Sequence, residues 1–227
     1  MKWEKLSNIL KEIYQEQNIL EYFIEDEKYL KNAFEVTETL WMKQYEKIAN
    51  LKIVMISEAP LFGKEQTYIY NPNTPTTVFF HFKDLEAFFA QKESLEKPKT
   101  VEEQKNILYD IFSKNGFLTL DIFPFALNPK HTKLHYRNIS KKLYQKLLQT
   151  TTREYLIPKL ELCLKKSDKD THFVYRYKRL FDKTESHFEK VLNELSVQVY
   201  QISSIHGTNM SLNREKLRRL LQGNNDD

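Results

Sequence analysis

The sequence feature that most constrains the fold is the stretch 51–63, LKIVMISEAPLFG. It begins with an apolar run at positions 53 to 56, which is typical of a strand buried on both faces. Pro60 cannot continue a central strand, so the chain turns there and leaves Glu58 at the carboxyl end of the strand. Ligands of open α/β sheets bind outside that edge. Glu58 is therefore the first candidate for a functional side chain.

Three more strand-like segments alternate with helical patterns along the rest of the chain. The predicted strands are Phe117–Ile122, His172–Tyr177 and Val197–Ile202. Helices are predicted over 84–91, 101–114, 140–148, 153–165, 184–195 and 211–221, with Gly116 as the C′ glycine of the second. This alternation predicts an α/β fold with a central four-stranded parallel sheet and helices on both faces.

Residues 1–50 carry helical apolar spacing but no pattern of catalytic residues. Asn18 and the acidic cluster 25–27 predict breaks between two or three helices. We expect this segment to be a helical extension packed on the domain that residues 51–227 form. No internal repeat or linker divides the chain.

Composition excludes several classes of protein. The single Cys163 excludes an intramolecular disulfide and any iron–sulfur or multi-thiolate metal site, so we expect neither a cofactor nor a metal. Its helical surroundings favour a buried, apolar role. No apolar run approaches the ~18 residues that span a membrane, and no signal peptide is visible. A monomeric cytoplasmic protein without a membrane partner is expected.

The net charge of +4 is modest but unevenly distributed. Residues 128–148 contain basic side chains and no acid, and 206–222 forms a second basic segment. Together they suit the phosphate backbone of DNA, although solvated helix faces would explain either segment alone. His131 and His135 fit a basic loop better than a metal site. The candidate DNA-binding residues are Lys130, Lys133, Arg137, Arg214, Lys216 and Arg218.

Polar residues follow three of the predicted strands. Glu58 ends the first strand, Asp121 ends the second, and His206 follows the fourth. Because the carboxyl ends of parallel strands meet at one edge, these side chains are expected to converge. Each alone has a structural explanation, since a loop histidine is often structural and a strand-end acid often caps a turn or helix.

The motifs and their order resemble the uracil-DNA glycosylase superfamily across residues 52–221. The first family motif has the form G-Q-D-P-Y or G-E-A-P-G, and here it is SEAPL at 57–61. The L-L-L-N strand of the first branch corresponds to LTLD at 118–121. The final H-P-S motif corresponds to HGT at 206–208, followed by a helix.

The departures from the family pattern are informative. Ala59 occupies the position of the aspartate in G-Q-D-P-Y, whereas Glu58 matches the glutamate of G-E-A-P-G. Members of that second branch typically carry a four-cysteine iron–sulfur cluster, which this chain cannot build. Gly207 replaces the proline of H-P-S. The resemblance therefore implies a divergent member of the superfamily.

The resemblance implies a DNA glycosylase, which breaks the bond between a base and its sugar. The sugar then becomes oxocarbenium-like and the base leaves as an anion. Glu58 is expected to stabilise the sugar and orient a water, and His206 to donate a hydrogen bond to O2 of the base as a neutral imidazole. The structural alternative for Glu58 is an acid that caps the turn.

Such an enzyme rotates its target base out of the DNA stack and into a pocket. Tyr70 lies near the family position of the stacking aromatic; Tyr68, Phe79 and Phe80 are its rivals. Met210 is the candidate apolar wedge that fills the gap in the helix, although a core position is equally common for methionine. Asn209 is a further candidate for binding DNA, and Ser57 is a further candidate for binding the substrate.

Two residues bear on the identity of the target base. Asp121 replaces the family asparagine, and an ionised carboxylate accepts a hydrogen bond from the amino group of cytosine but repels O4 of uracil. Leu61 replaces the tyrosine that closes the pocket against groups at C5 in the G-Q-D-P-Y branch. The favoured substrate is therefore a C5-modified cytosine, as in hypermodified phage DNA, which suits antiviral defence.

Three alternatives remain open. Uracil or another deaminated base would make the protein a repair enzyme, and this is expected if Asp121 is protonated or turned away. A catalytically inactive DNA-binding module is suggested by Ala59 and Gly207. An unrelated α/β enzyme acting on a free nucleotide or nucleoside would bind DNA weakly and without salt dependence.

Overall fold

A computed structural model describes residues 3–74, 100–196, 201–205 and 213–221. Four strands form one sheet in the order β2-β1-β3-β4, and every strand pairs with its neighbours in parallel. The strands are β1 (Leu51–Ser57), β2 (Phe117–Asp121), β3 (Ser167–Tyr175) and β4 (Gln201–Ser204). The predicted α/β class with a four-stranded parallel sheet is confirmed.

The helices are α1 (Trp3–Glu16), α2 (Phe23–Lys47), α3 (Val101–Lys114), α4 (Lys141–Thr151), α5 (Ile157–Leu164), α6 (Lys178–Glu194) and α7 (Arg214–Leu221). A 3₁₀ turn at Leu20–Tyr22 precedes α2, and a π-helical turn at Thr152–Leu156 joins α4 to α5. Within the described ranges, none of these helices combines the length and the apolar character needed to span a bilayer.

The sheet has a switch point between β1 and β3. From β1 the chain proceeds to β2 on one side, whereas from β3 it proceeds to β4 on the other. Right-handed connections consequently place α3 on one face of the sheet and α4 to α6 on the opposite face. The crevice outside the carboxyl ends of β1 and β3 is where such a sheet binds ligands.

The register of β1 and β2 is fixed by the connection that enters β2. Thr100 and Glu103 form a capping box that begins α3, and Gly116 follows its end with φ of +63°. The Gly116 carbonyl accepts hydrogen bonds from the backbone N–H groups of Lys52 (2.8 Å) and Ile53 (3.1 Å). Gly116 is thus the predicted C′ glycine, and it aligns Ser57 with Asp121 at the far end of the pair.

The N-terminal helices belong to the same hydrophobic core as the sheet. Leu6 and Leu10 of α1 and Ile53 of β1 are fully buried in one continuous cluster. The Trp41 indole N–H donates to the Thr119 carbonyl of β2 at 2.8 Å. Residues 3–48 therefore cover the sheet as part of its core.

Several predicted boundaries are wrong. The break at Asn18 is confirmed by its positive φ of 56°, but the acidic cluster 25–27 lies inside α2, where acids near a helix N-terminus are stabilising. The helices predicted over 140–148 and 153–165 form one stretch, because the π turn carries the chain between them.

The third and fourth strands and their connections also differ from prediction. β3 begins at Ser167 and ends at Tyr175, and α6 begins at Lys178, not Thr184. The Thr184 hydroxyl bonds to the Leu180 carbonyl at 2.8 Å inside the helix and does not cap it. The helix predicted over 84–91, residues 197–200 and Ser211, the first residue of the last predicted helix, lie outside the described residues.

Candidate active site

A cavity of about 360 Å³ lies at the switch point of the sheet. Three segments line it, each of which follows the carboxyl end of a strand or continues from one. They are the turn after β1 (Ser57, Glu58, Ala59, Pro60, Leu61), the segment after β2 (Leu127, Tyr136, Arg137) and the start of α6 after β3 (Tyr177, Arg179, Leu180). The edge predicted from the sequence therefore carries a cavity of ligand size.

Glu58 enters this cavity from a turn that the backbone fixes. The Ile122 N–H donates to the Ser57 carbonyl and the Phe123 N–H to the Glu58 carbonyl, both at 3.0 Å, so the pairing with the β2 side continues past the strand. The Glu58 carboxylate is half-buried and accepts a hydrogen bond from the Tyr144 hydroxyl of α4 at 2.9 Å. Its orientation is thus set by a second element.

Tyr144 is held as a protonated donor. Burial raises the pKa of its phenol well above the usual value, and the neighbouring Glu58 carboxylate raises it further. Its ring packs edge-on against Phe123 at a centroid distance of 5.3 Å. A neutral phenol beside the carboxylate donates its one proton to Glu58, and its oxygen can still accept a hydrogen bond from a bound ligand.

Positive charges flank the Glu58 carboxylate. Arg137 and Arg179 line the cavity, and Lys183 lies one helical turn beyond Arg179 with its Nζ 4.5 Å from the Tyr144 ring centroid. Burial lowers the pKa of Lys183, and Arg179 lowers it further, while Glu58 acts in the opposite direction. A cavity with one acidic and several cationic side chains suits a ligand that carries phosphate groups.

Ser57 lines the cavity at the end of β1, but its hydroxyl is enclosed. The residue is 5% exposed, and its Oγ has no hydrogen-bond partner among the described residues. A buried hydroxyl without a partner costs about 1–3 kcal/mol. That Ser57 contacts substrate stays a prediction.

Aromatic walls come from residues that sequence reasoning did not single out. Tyr136 stacks on Phe123 at 5.2 Å and donates its hydroxyl to the Phe125 carbonyl, so its ring is fixed at the cavity. Tyr177, which follows β3 after Arg176, also lines the cavity. Tyr177 and Arg179 follow closely on the end of β3, so the strand-end criterion that identified Glu58 could have found them, whereas Tyr136 lies far along the loop after β2. Tyr144 left no such signal, since it lies within a helix.

Tyr70 lies in the core and not at the cavity. It is 2% exposed, and its hydroxyl accepts hydrogen bonds from the backbone N–H of Thr119 (2.7 Å) and from the Thr119 hydroxyl (2.9 Å). It thus satisfies the outer edge of β2. Tyr68 is also buried, and Phe79 and Phe80 lie outside the described residues.

Asp121 ends β2 as predicted, but its side chain is enclosed in a polar cluster and does not line the cavity. Burial raises its pKa to about 7; the Lys159 charge lowers it and the Glu38 charge raises it. Lys159 forms a 2.8 Å ion pair with Glu38, and its Nζ lies 3.5 Å from the Trp41 ring centroid. Asp121 therefore titrates near neutral pH inside the core.

The final predicted motif lies outside the described residues, including His206, Asn209 and Met210. The described residues that bracket it lie at the carboxyl edge. The Ile205 N–H donates to the Tyr175 carbonyl at 2.9 Å, and the Asn213 N–H donates to the Ile205 carbonyl at 2.7 Å. The chain therefore leaves and re-enters the described structure beside the end of β3.

The basic residues predicted to contact DNA extend from the same edge of the sheet. Lys130, Lys133 and Arg137 are exposed in the loop that follows β2, and Asp26 fixes this loop by accepting from the Lys133 N–H at 2.7 Å. Lys216 and Arg218 are exposed on α7, which follows β4. Arg214 begins that helix. Both basic segments therefore start at the edge that carries the cavity.

Cys163 and the acidic and histidine residues offer no metal centre within the described part of the chain. Cys163 is fully buried, and burial raises the pKa of its thiol to about 12, which makes it inert. Across residues 3–74, 100–196, 201–205 and 213–221, no group of three or more His, Cys, Asp or Glu side chains could hold a metal ion.

Comparison with protein-family models, with curated proteins and with solved structures returned no match to this chain. The resemblance to the uracil-DNA glycosylase superfamily consequently depends on the short motifs at 57–61, 118–121 and 206–208, and it stays a prediction.

Proposed function

We propose that this protein is a DNA glycosylase that hydrolyses the N-glycosidic bond of a pyrimidine rotated out of DNA, leaving an abasic site. The observation that carries this proposal is the Glu58 carboxylate, oriented by Tyr144 in a cavity at the switch point and flanked by Arg137 and Arg179. A carboxylate with fixed geometry beside cationic groups suits a reaction between an anionic strand and a developing sugar cation.

Glu58 would act on the sugar. As the bond to the base lengthens, positive charge builds on the sugar ring, and a carboxylate fixed nearby stabilises it without reorganising. The same carboxylate can accept a proton from the water that attacks the sugar carbon. Tyr144 would hold one carboxylate oxygen and leave the other for this work.

Neutral and cationic donors would act on the leaving base. Ser57, which lines the cavity, keeps its predicted contact with the substrate, and His206 keeps its predicted role toward O2 of the base. Arg137 and Arg179 would bind the phosphates that flank the extruded nucleotide. Each of these groups stabilises negative charge, whereas Glu58 stabilises positive charge.

The favoured substrate is a cytosine substituted at C5. Leu61 lines the rim of the cavity and is 41% exposed, so among the described residues this rim position holds an aliphatic side chain in place of an aromatic ring. A substituent at C5 would then meet an open rim. Phage DNA with hypermodified cytosine supplies such bases, and destroying it would serve antiviral defence.

Uracil is the second candidate, and Asp121 favours it. This carboxyl does not line the cavity, and with a pKa near 7 it is largely protonated below neutral pH, so it presents no fixed negative charge that would repel O4 of uracil. A uracil-specific enzyme would act in base-excision repair.

Base release measured by mass spectrometry distinguishes these substrates. DNAs containing uracil, cytosine, 5-hydroxymethylcytosine or glucosylated cytosine would each be incubated with the protein. We expect release of a substituted cytosine and none of unmodified cytosine. Release of uracil alone would support the glycosylase activity but contradict the preference for a substituted cytosine. No release from any of these DNAs, with DNA binding retained, would favour a catalytically inactive binding module.

A further inference from the structure

A second cavity, of about 420 Å³, adjoins the first along the loop after β1. Leu61 lines both cavities, so its side chain forms the ridge between them. The other walls come from residues 62–65, Thr67 and the loop after β2, whose contributions are Asn128, Lys130 and His131. The two cavities are therefore built from the same two loops at the carboxyl edge of the sheet.

The charged groups of the second cavity are mostly basic. Lys64 and Lys130 are exposed, and neither forms an ion pair with any residue that the structure describes. His131 adds an imidazole whose ring stacks on Tyr29 at 5.0 Å. Glu65 is the acid among the lining residues. Two unpaired ammonium groups and an imidazole around one cavity favour an anionic occupant.

Local hydrogen bonds hold this cavity open. The Asn128 side-chain amide donates to the Phe62 carbonyl at 2.9 Å, and its Oδ1 accepts from the Lys130 N–H at 3.0 Å, which ties the two loops together. Gly63 lies between them, and a Cβ there would approach His131 Nε2 and Glu65 Oε2, both at 3.4 Å. The hydrogen atom of Gly63 therefore leaves space beside the imidazole.

We propose that this second cavity binds one backbone phosphate of the DNA strand that carries the target base. The strand would pass over Leu61, with the base in the first cavity and a neighbouring phosphate between Lys64, Lys130 and His131. Leu61 would support the sugar between them. The assignment of the first cavity rests on the proposed function, but the phosphate site is testable by binding alone.

A scan with methylphosphonates tests the proposal. Short single-stranded oligonucleotides with one uracil or one substituted cytosine would each carry a single uncharged methylphosphonate, moved one position at a time. Binding would be measured by fluorescence anisotropy with Glu58→Gln, which is designed to prevent turnover. We expect one position beside the target base to weaken binding, and Lys64→Ala/Lys130→Ala in the same background to lose that position-specific effect.

The salt dependence gives a second readout. Neutralising one phosphate of single-stranded DNA contributes about 0.7 to the slope of log affinity against log salt. The double lysine variant should therefore lower the slope by about that amount. Lys169→Ala removes an exposed charge at the amino end of β3, away from both cavities, and should leave the slope unchanged. Gly63→Ala should reproduce the position-specific loss by narrowing the cavity.

Two results would overturn the proposal. The first is a lysine double variant that behaves like Lys169→Ala in both affinity and slope. The second is a scan in which a methylphosphonate at any position weakens DNA binding equally, both in Glu58→Gln and in the double lysine variant. Such a result would indicate diffuse electrostatic attraction and no defined phosphate site. The double lysine variant could lose the position-specific effect while the wild type releases no base. That result would support the phosphate site and contradict the proposed glycosylase activity. The wild type could instead release the base while the double lysine variant binds DNA as the wild type does. That result would support the glycosylase activity and contradict the phosphate site.

Discussion

Among the residues that the structure describes, one side-chain donor orients the Glu58 carboxylate: the Tyr144 hydroxyl, at 2.9 Å. Replacing Tyr144 with phenylalanine removes that donor and keeps the ring that packs on Phe123. A hydrogen bond to a charged group contributes about 1.5–3 kcal/mol, so we expect kcat for base release to fall by about tenfold to a hundredfold. KM should stay close to the wild-type value, because the phenol acts on the carboxylate and not on the bound strand.

Tyr45→Phe is the matched control for this prediction. The Tyr45 hydroxyl donates to the Leu162 carbonyl at 2.9 Å, and Tyr45 does not line the cavity. It should leave kcat unchanged. Equal loss of kcat in both variants, or a loss in Tyr144→Phe that simply follows a lower Tm, would contradict a positioning role for Tyr144.

Asp121 makes stability depend on pH. Its pKa is raised from 3.8 to about 7 in the folded protein, so the folded state retains a proton that the unfolded state has lost between those values. The stability this provides is complete below pH ~4 and is lost as pH rises to ~7. Asp121→Asn cannot ionise, so it should gain about 2–3 kcal/mol relative to the wild type between pH 5 and pH 8.

Urea unfolding at pH 5 and pH 8 measures this gain. Asp110→Asn, an exposed carboxylate change on α3, should shift stability equally at the two pH values. A difference in stability between wild type and Asp121→Asn that does not change between pH 5 and pH 8 would contradict a pKa near 7 for Asp121.

At the scale of elements, the turn between α3 and β2 depends on Gly116. Its φ is +63°, and a Cβ there would lie 2.4 Å from the Asn50 carbonyl oxygen and 2.9 Å from the Lys52 nitrogen. We expect Gly116→Ala to lower the free energy of unfolding by at least 1–2 kcal/mol, because the left-handed backbone and the contact both oppose a side chain. Denaturant titration gives the value.

Gly63→Ala is the matched glycine change. Its added Cβ would make ordinary contacts at 3.4 Å or more, and its backbone is not in the positive-φ region, so stability should change little. If both alanine variants are equally stable, the register of β1 and β2 does not depend on Gly116.

The elements that the sequence predicted well have strong local signals. The run at 53–56 fixes β1, and Thr100 with Gly116 marks both ends of α3. The errors arise where tertiary contacts override local preference. Thr184 has the character of a cap but bonds back to Leu180 inside α6, and the π turn at 152–156 joins helices that the pattern separates.

The candidate site was predictable only in part. Glu58 and Ser57 could be placed because a strand end fixes them, and Leu61 followed from the same turn. Tyr144 could not be found, since its contact with Glu58 joins residues far apart in sequence, across the whole of β2. The burial of Asp121 beside Lys159 was likewise invisible, because it depends on how α2 and α5 pack against the sheet.

At the scale of the whole molecule, charge is distributed so that the cavity edge is basic. The net charge is only +4, yet both basic segments begin at the edge that carries the cavities. We expect DNA affinity to fall linearly with salt on a log–log scale, and Arg137→Ala to lower the slope by about 0.7 on single strands or about 0.9 on duplex. A slope near zero would instead favour an enzyme for free nucleotides or nucleosides.

The proposed function depends on Glu58 for breaking the bond between a base and its sugar. Single-turnover base release by wild type and Glu58→Gln, with DNA affinity measured on the same preparations, tests it most directly. We expect release by Glu58→Gln to fall by about a hundredfold or more while its DNA affinity is unchanged. Equal release by both proteins would contradict it. So would DNA binding by the wild type without release of any base.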